Sequence, residues 1–407
     1  MSLKEEVIKK LKSRRQRISS GYVNCIPTPF KRFRYDWVGL EQESYMIVTS
    51  FTKGGKSQFT SYAIIYQTLL YAYRHPEKNI DVTLLYFPLE ETAERIMERF
   101  MSYLIYEFAG VRCSPRELRS TQQAVEENHI SFLESEEIQK ILDFFESHII
   151  FSEESNPTGI MKFCKKYAEA HGKTLYRAYE TTDDFGNKVT KELFRKYIPN
   201  NPNAYVVPII DTINFIDAER GMTMKQSMDK MSEYCAKILR NRYKMSPVVI
   251  QQQAFEQEKV DEFKMKSGNL RPSVAGLGDS KTVSRDANLV LGLFSPARFG
   301  IKNYMGYNIE LLGDSARFLE VIINRDGQMG GMIGLYFDGA CSYFKELPIA
   351  IRKTKDGQKQ ETDEIKQFYN WFEHRDEPLM IEEKREQKSN KSFLITTLKQ
   401  LTKWQRF

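Results

Sequence analysis

The sequence predicts an α/β fold, a mostly parallel twisted sheet flanked by helices, and three observations predict it. From Tyr45 onward, apolar runs of strand length alternate with helix-patterned segments. The early and central runs, "YMIVTS", "VTLLYFPLE" and "AYVVPIIDTINFI", are apolar on both faces, as a buried parallel sheet requires. The stretch "VTSFTKGGKSQFT" sets Gly54, Gly55, Lys56 and Ser57 between the first of these strands and a helix, where a phosphate-binding loop belongs.

Residues 3–19 carry Leu3, Val7, Leu11 and Ile18 on one helical stripe, with Lys and Arg crowding the rest. The stripe calls for burial against a partner; the alternative is a basic arm that binds nucleic acid directly. "NCIPTPFKRF" breaks this helix and begins a new unit. "YMIVTS" is the first strand, followed by the glycine loop and a helix through about Tyr73. "VTLLYFPLE" is the second strand and "ETAERIMERFMSYLIYEF" the second helix. Residues 110–200 form an insertion with helical stretches, a short strand "HIIFSE" and a polar hairpin around "DDFGNK". After "AYVVPIIDTINFI" come a helix over "MKQSMDKMSEYCAKILRNRY", the strand "SPVVIQQQAF" and a Gly- and Lys-containing loop. "RDANLVLGLFS", "RFLEVIINRD" and "MIGLYFDGACSYF" supply the last strands. The chain therefore divides into a helix at 1–22, a main unit at 23–348 and a charged tail at 349–407. That tail ends in the amphipathic "SFLITTLKQLTKWQRF", with Phe393, Leu394, Leu398, Leu401 and Trp404.

Composition sets the outer bounds. A chain of 407 residues with 41% hydrophobic content can bury a sizeable core. Its net charge of +6, from 60 basic and 54 acidic residues, is only a weak pointer to nucleic acid. The five cysteines are scattered without C-x-x-C spacing, which argues against a disulfide framework or zinc site. The N-terminus lacks the apolar core of a secretory signal. "YAIIYQTLLYAY" is interrupted by Gln67 and Thr68 and falls short of the ~20 residues that cross a bilayer. A soluble, cytoplasmic protein with no membrane partner is expected.

The loop defines the chemistry. Backbone amides over Thr52, Lys53, Gly54, Gly55, Lys56, Ser57 and Gln58 would converge on phosphate oxygens at a helix N-terminus. Lys56 would reach the β- and γ-phosphates, and the Ser57 hydroxyl would coordinate Mg²⁺. Ser50 replaces the first glycine of G-x-x-x-x-G-K-[ST]; at the strand's exit its side chain is free to point away. Asp211, ending "VVPIID", supplies a carboxylate to hold Mg²⁺ through water, the alternative being a helix N-cap. Glu90 falls at the end of the second strand, on the same sheet edge, and suits a base or orienting group for the attacking water. Glu91 competes, though an acid there is also an ordinary first-turn helix residue. ATP with Mg²⁺ is the ligand these groups expect.

Taken in order, these motifs resemble the RecA-like motor domain of DnaB-family replicative helicases, from about Ile26 to Phe344. "IPTPFKRF" is similar to the family's entry segment, "SFTKGGKS" to its phosphate loop, "YFPLEETAERI" to its glutamate strand and "VVPIIDTINFI" to its aspartate strand. "SPVVIQQQAFEQ" resembles the strand ending in a γ-phosphate-sensing glutamine, which lands on Gln253. "IINRDGQMGGMIGLYFDGACSYF" is similar to the final hairpin, whose arginine reaches the neighbouring subunit's nucleotide, here Arg325. Ile323 stands where the family usually carries a lysine, so Arg325 would act alone. "NLRPS…VSRDANLVLGL" resembles the DNA-binding loop and the strand after it. The resemblance implies channel contacts by Arg271, with Lys264, Lys266 and Lys281 nearby, and by Arg220 and Lys225 in "DAERGMTMK".

It further implies that residues 3–19 dock on the adjacent subunit of a hexameric ring that travels on single-stranded DNA and unwinds duplex. The family's primase-recruiting N-terminal domain has no counterpart here, as in a minimal, phage-encoded helicase in its host's cytoplasm, or a bacterial one recruited by another protein. The tail offers a docking segment for a primase, polymerase or loader, or else packs on its own domain. Two alternatives remain: a RecA- or KaiC-like ATPase without unwinding activity, and a non-enzymatic DNA-binding scaffold or loader.

Overall fold

The computed structural model describes residues 2–182, 186, 188–254, 270–277, 285–353 and 356–375. Nine strands form its main sheet: β1 Met46–Ser50, β2 Val82–Pro88, β3 Ile149–Phe151, β4 Tyr205–Asp211, β5 Val248–Gln252, β6 Leu289–Phe294, β7 Ala316–Asn324, β8 Met332–Asp338 and β9 Tyr343–Glu346. Their spatial order is β9-β8-β7-β6-β1-β5-β4-β2-β3. The strands from β6 to β3 run parallel, and β7, β8 and β9 add an antiparallel meander. Every residue of β1 and β6 is buried, because helices cover both faces.

Strand alternation sorts the two cores. Val48, Leu84 and Ile209 face one helical layer, where Phe59, Ile64, Ile65 and Leu69 meet Ile96, Phe100 and Leu104. Ile47, Leu85, Ile210 and Val249 face the other, against Ile160, Cys164, Met231, Cys235 and Leu239. The first layer is built by α2 Lys56–Thr60, continued through Ser61–Tyr66 and Gln67–Arg74, and by α3 Ala93–Leu104. The second is built by α4 Pro157–Ala170 and α5 Met224–Glu233. β-Branched strand residues pack tightly between these layers, the arrangement the two-faced apolar runs demand.

The insertion supplies helices Pro115–Leu118, Glu127–Leu133 and Glu136–His148, the edge strand β3, and a separate antiparallel ribbon of Gly172–Thr182 with Lys188–Pro199. Past residue 348 the chain stays packed. Ile365 and Phe372 of the helix Asp363–His374 are buried with Phe318 and Tyr336. The amphipathic segment with Phe393, Leu394, Leu398, Leu401 and Trp404 lies outside the described residues.

The N-terminal helix α1, Leu3–Ser19, is secured by a Ser2–Glu5 capping box, yet none of its residues is buried. Leu3, Val7, Leu11 and Ile18 are 78%, 47%, 58% and 56% exposed. The stripe that calls for burial finds no cover within the described chain. No described helix is long and apolar enough to cross a membrane.

Candidate nucleotide site

Strand order creates the site. β2 follows β1 in sequence, but β5 and β4 lie between them, so the carboxyl ends of these strands open onto a crevice at a topological switch point. The loop after β1 turns through Lys53 at φ +54° and Gly55 at φ +92°, left-handed conformations that glycine adopts without strain. Gly54 N donates to Phe51 O over 3.0 Å, which folds the loop on itself. No side chain caps α2, so its first amides face the crevice.

Ser50 does not point away from this turn. It is fully buried and its hydroxyl donates to Phe51 O over 2.9 Å. Its Cβ and Oγ both lie 2.8 Å from where a Cβ on Gly54 would be, so the serine fills the underside of the loop and requires glycine above it. The half-buried Lys56 has no hydrogen-bond or ion-pair partner among the described residues. The Gln58 side chain instead donates to Gly339 O over 2.9 Å, tying α2 to the turn between β8 and β9. That leaves the backbone amide of Gln58 for an anion.

Asp211 and Ser57 meet directly: the serine hydroxyl donates to Asp211 Oδ1 over 2.9 Å. The other carboxylate oxygen accepts from the Tyr86 hydroxyl at 2.6 Å, and Thr212 Oγ1 donates to Oδ1 at 3.2 Å. The short helical turn Ile213–Phe215 has no side-chain cap, so Asp211 is not the N-cap aspartate of the alternative reading. Burial, and then the Asp211 charge, push the Tyr86 phenol well above its usual range, so it remains a donor. A hydroxyl and a carboxylate in contact are hard oxygen donors that fit Mg²⁺. The described residues hold no larger His, Cys, Asp or Glu cluster, which suits an ion that keeps waters and phosphate oxygens as further ligands.

Tyr86 thus orients a metal-binding carboxylate from behind. Tyr86→Phe is expected to raise the Mg²⁺ concentration for half-maximal ATP turnover by ~10-fold or more, the usual cost of losing such support. A Mg²⁺ titration identical to the parent chain would show that Asp211 needs no second anchor.

The two acidic candidates separate. Glu91 pairs with Arg99 on α3. Glu90 is exposed, with no partner among the described residues, and Leu89 N donates to Asp211 O over 2.7 Å, holding this segment beside the aspartate. The glutamines differ from the expectation. Gln253 is only 2% exposed, and its amide donates to Thr49 Oγ1 at 2.9 Å and Ser273 O at 3.2 Å while accepting from Ser273 N at 3.2 Å. Its hydrogen-bonding capacity is spent inside the protein. Gln252 is the residue that touches the loop, its amide donating to Thr52 Oγ1 over 2.8 Å. Three consecutive glutamines concealed which one the strand's alternation would present.

Sequence reading also missed Arg317 on β7. It is 1% exposed, and its Nε donates to Gly54 O over 2.9 Å. It donates further to Ser295 Oγ at 3.1 Å and pairs with Asp314 at 3.0 Å, with its guanidinium 4.6 Å from the Phe337 ring centre. Arg317 braces the loop from below.

Arg325 lies elsewhere. Asn324 pairs with Leu289, which pairs with Met46 at the start of β1, whereas the loop follows Ser50 at its end. The two are separated by ~13 Å along the strand alone. Arg325 is exposed and without a partner among the described residues, and it does not reach its own loop.

Of the cations expected on nucleic acid, Arg271 is exposed but pairs with Glu320 at 3.3 Å. Arg220 is exposed in the turn before α5, and Lys225 is exposed in the first turn of that helix. Both segments leave the sheet from the ends of β5 and β4, the edge that carries the phosphate loop. Lys264, Lys266 and Lys281 lie outside the described residues.

No family model matches the chain, and no curated protein matches it. Among solved structures it is similar to the ATPase domain of a helicase, with a TM-score of 0.59 and 12% identity over 85% of this chain and 99% of that one. It is also similar to "The Structure Of A DnaB-Like Replicative Helicase And Its Interactions With Primase", with a TM-score of 0.58 and 12% identity over 84% of this chain and 68% of that one. This likeness establishes the fold: the chain carries the RecA-like architecture of DnaB-type helicase motors.

Proposed function

We propose that this chain is the ATP-hydrolysing motor of a ring-forming DNA helicase that moves on single-stranded DNA and unwinds duplex. The observation that carries the reading is the Ser57–Asp211 contact at the switch point, beside an unpartnered Lys56. Amides from Thr52 to Gln58 cradle the phosphates, and Lys56 takes the β- and γ-oxygens. Ser57 and Asp211 would hold Mg²⁺, which when bound offsets charge on the phosphate oxygens. Glu90 orients the attacking water and accepts its proton. Gln252, through Thr52, is placed to respond to the γ-phosphate, and buried Gln253 links the base of the loop to Ser273.

The sheet edge shared by the loop and the segments carrying Arg220, Lys225 and Arg271 supports coupling of hydrolysis to DNA contact. Lys264, Lys266 and Lys281 would join them in sequence-independent phosphate binding. Arg325, out of reach of its own loop, serves the nucleotide of a neighbouring copy, and the uncovered stripe of α1 docks on such a copy. These two features support a homo-oligomer, read as a hexamer, of a protein working in a bacterial or phage-infected cytoplasm. A primase, polymerase or loader would be a further partner.

DNA-stimulated ATP turnover and forked-duplex unwinding, measured side by side, test the reading. Glu90→Gln is expected to lower turnover by ~10²- to 10⁴-fold with ATP binding retained, while Glu91→Gln stays near the parent. Turnover without unwinding would favour a recombinase-like ATPase. Equal, negligible turnover in parent and Glu90→Gln would favour a scaffold and end the proposal.

A further inference from the structure

We propose that the acidic groove beside α3 seats the chain's own C-terminal segment, residues 388–407. The groove is a cavity of about 380 Å³ between α3 and the insertion helices. Its floor is apolar and unsealed: Met101, Leu118, Val125, Ile130 and Leu133 are each only half-buried. Its surroundings are acidic. Residues 117–137 hold six glutamates against one arginine, Arg119, which already pairs with Glu98. Glu126, Glu127, Glu134 and Glu137 are exposed without partners among the described residues. A surface of this kind takes a basic amphipathic helix, its apolar stripe on the floor and its cations on the rim.

The chain carries such a segment. Residues 388–407 contain five Lys and Arg residues and no acid, and Leu394, Leu398, Leu401 and Trp404 fall at helical spacing. The described chain also ends close to the groove. The helix Asp363–His374, α6, sets Trp371 and Phe372 edge-on against Tyr336, whose hydroxyl donates to Asp338 at 3.2 Å. Asp338 in turn pairs with Arg112 at 2.8 Å, and Arg112 shortly precedes the insertion helix that carries Leu118. The intervening residues 376–387 can span up to ~40 Å. Seating on the same chain therefore needs no second copy, and the inference is independent of the nucleotide site.

The test places a photo-crosslinking p-benzoylphenylalanine at position 398 of the full chain, in an equal mixture of isotopically light and heavy protein with single-stranded DNA added. Cross-links within one chain to peptides bearing Met101, Leu118 or Ile130 are expected. Glu127→Lys with Glu134→Lys should cut their yield about tenfold by reversing two rim attractions, and adding Lys399→Glu with Lys403→Glu should restore it. Both glutamates are exposed, so the fold is left intact. Cross-links to another surface, between light and heavy chains or to the DNA would overturn the proposal. So would a yield that neither charge reversal changes.

Discussion

Arg325→Ala is expected to lower DNA-stimulated ATP turnover by ~10³-fold or more while ATP binding to the isolated chain stays unchanged. The expectation follows from sheet register. Arg325 leaves β7 beside the beginning of β1, and the phosphate loop leaves β1 at its other end, so one chain cannot bring them together. A guanidinium that neutralises charge developing on the γ-phosphoryl must then come from a second copy. Ile323 sharpens the effect, because its side chain packs against the core and supplies no second cation. Mixing makes the test decisive. Arg325→Ala and Lys56→Ala are each inactive alone, but in a head-to-tail assembly about a quarter of the seams would join an intact loop to an intact arginine. Recovery of turnover on mixing supports a shared site. No recovery, or an Arg325→Ala chain as active as the parent, would exclude one.

The elements legible in the sequence were those whose physics is local. β1, β2 and β4 announce themselves because both faces are apolar, and α1 because its stripe has the period of a helix. The ribbon was legible from its polar alternation and the turn at "DDFGNK". Ser57 and Asp211 could be paired in advance because each ends or follows a strand on the same sheet edge. What stayed hidden depends on long-range placement. Gln252 and Gln253 are chemically identical, and only the neighbours across β1 decide which one meets Thr52. Ser50 looked dispensable because nothing local reveals that Gly54 folds back over it. Arg271 was read as a free loop cation, but its partner Glu320 is a strand residue far along the chain. Arg317 did leave a signal: a lone guanidinium inside the apolar strand "ARFLEVIIN", where an uncompensated charge would be intolerable.

That buried charge gives the largest expected effect on the folded state. Arg317→Met is expected to destabilise the protein by about 3–5 kcal/mol, the range for removing one partner from a buried charged network, and to weaken ATP binding as the loop loses its brace. The guanidinium is held by the Gly54 carbonyl at 2.9 Å, Ser295 Oγ at 3.1 Å and Asp314 at 3.0 Å, above the Phe337 ring. Burial lowers its proton affinity, but a guanidinium stays charged in proteins, so the site must satisfy a cation. Methionine fills much of the volume and leaves the buried Gly54 carbonyl without this donor, directly under the turn that would carry the phosphates. Arg317→Lys separates charge from geometry. Its ammonium keeps the charge but lacks the planar fork, so stability should recover in part while nucleotide affinity stays low. Asp314→Ala supplies the control. The Asp314 side chain is 71% exposed, so solvent screens the pair and its loss should cost under ~1 kcal/mol. Denaturant unfolding and ATP titration of the three variants decide the matter: if Asp314→Ala proves as damaging as Arg317→Met, the guanidinium serves the ion pair and not the loop.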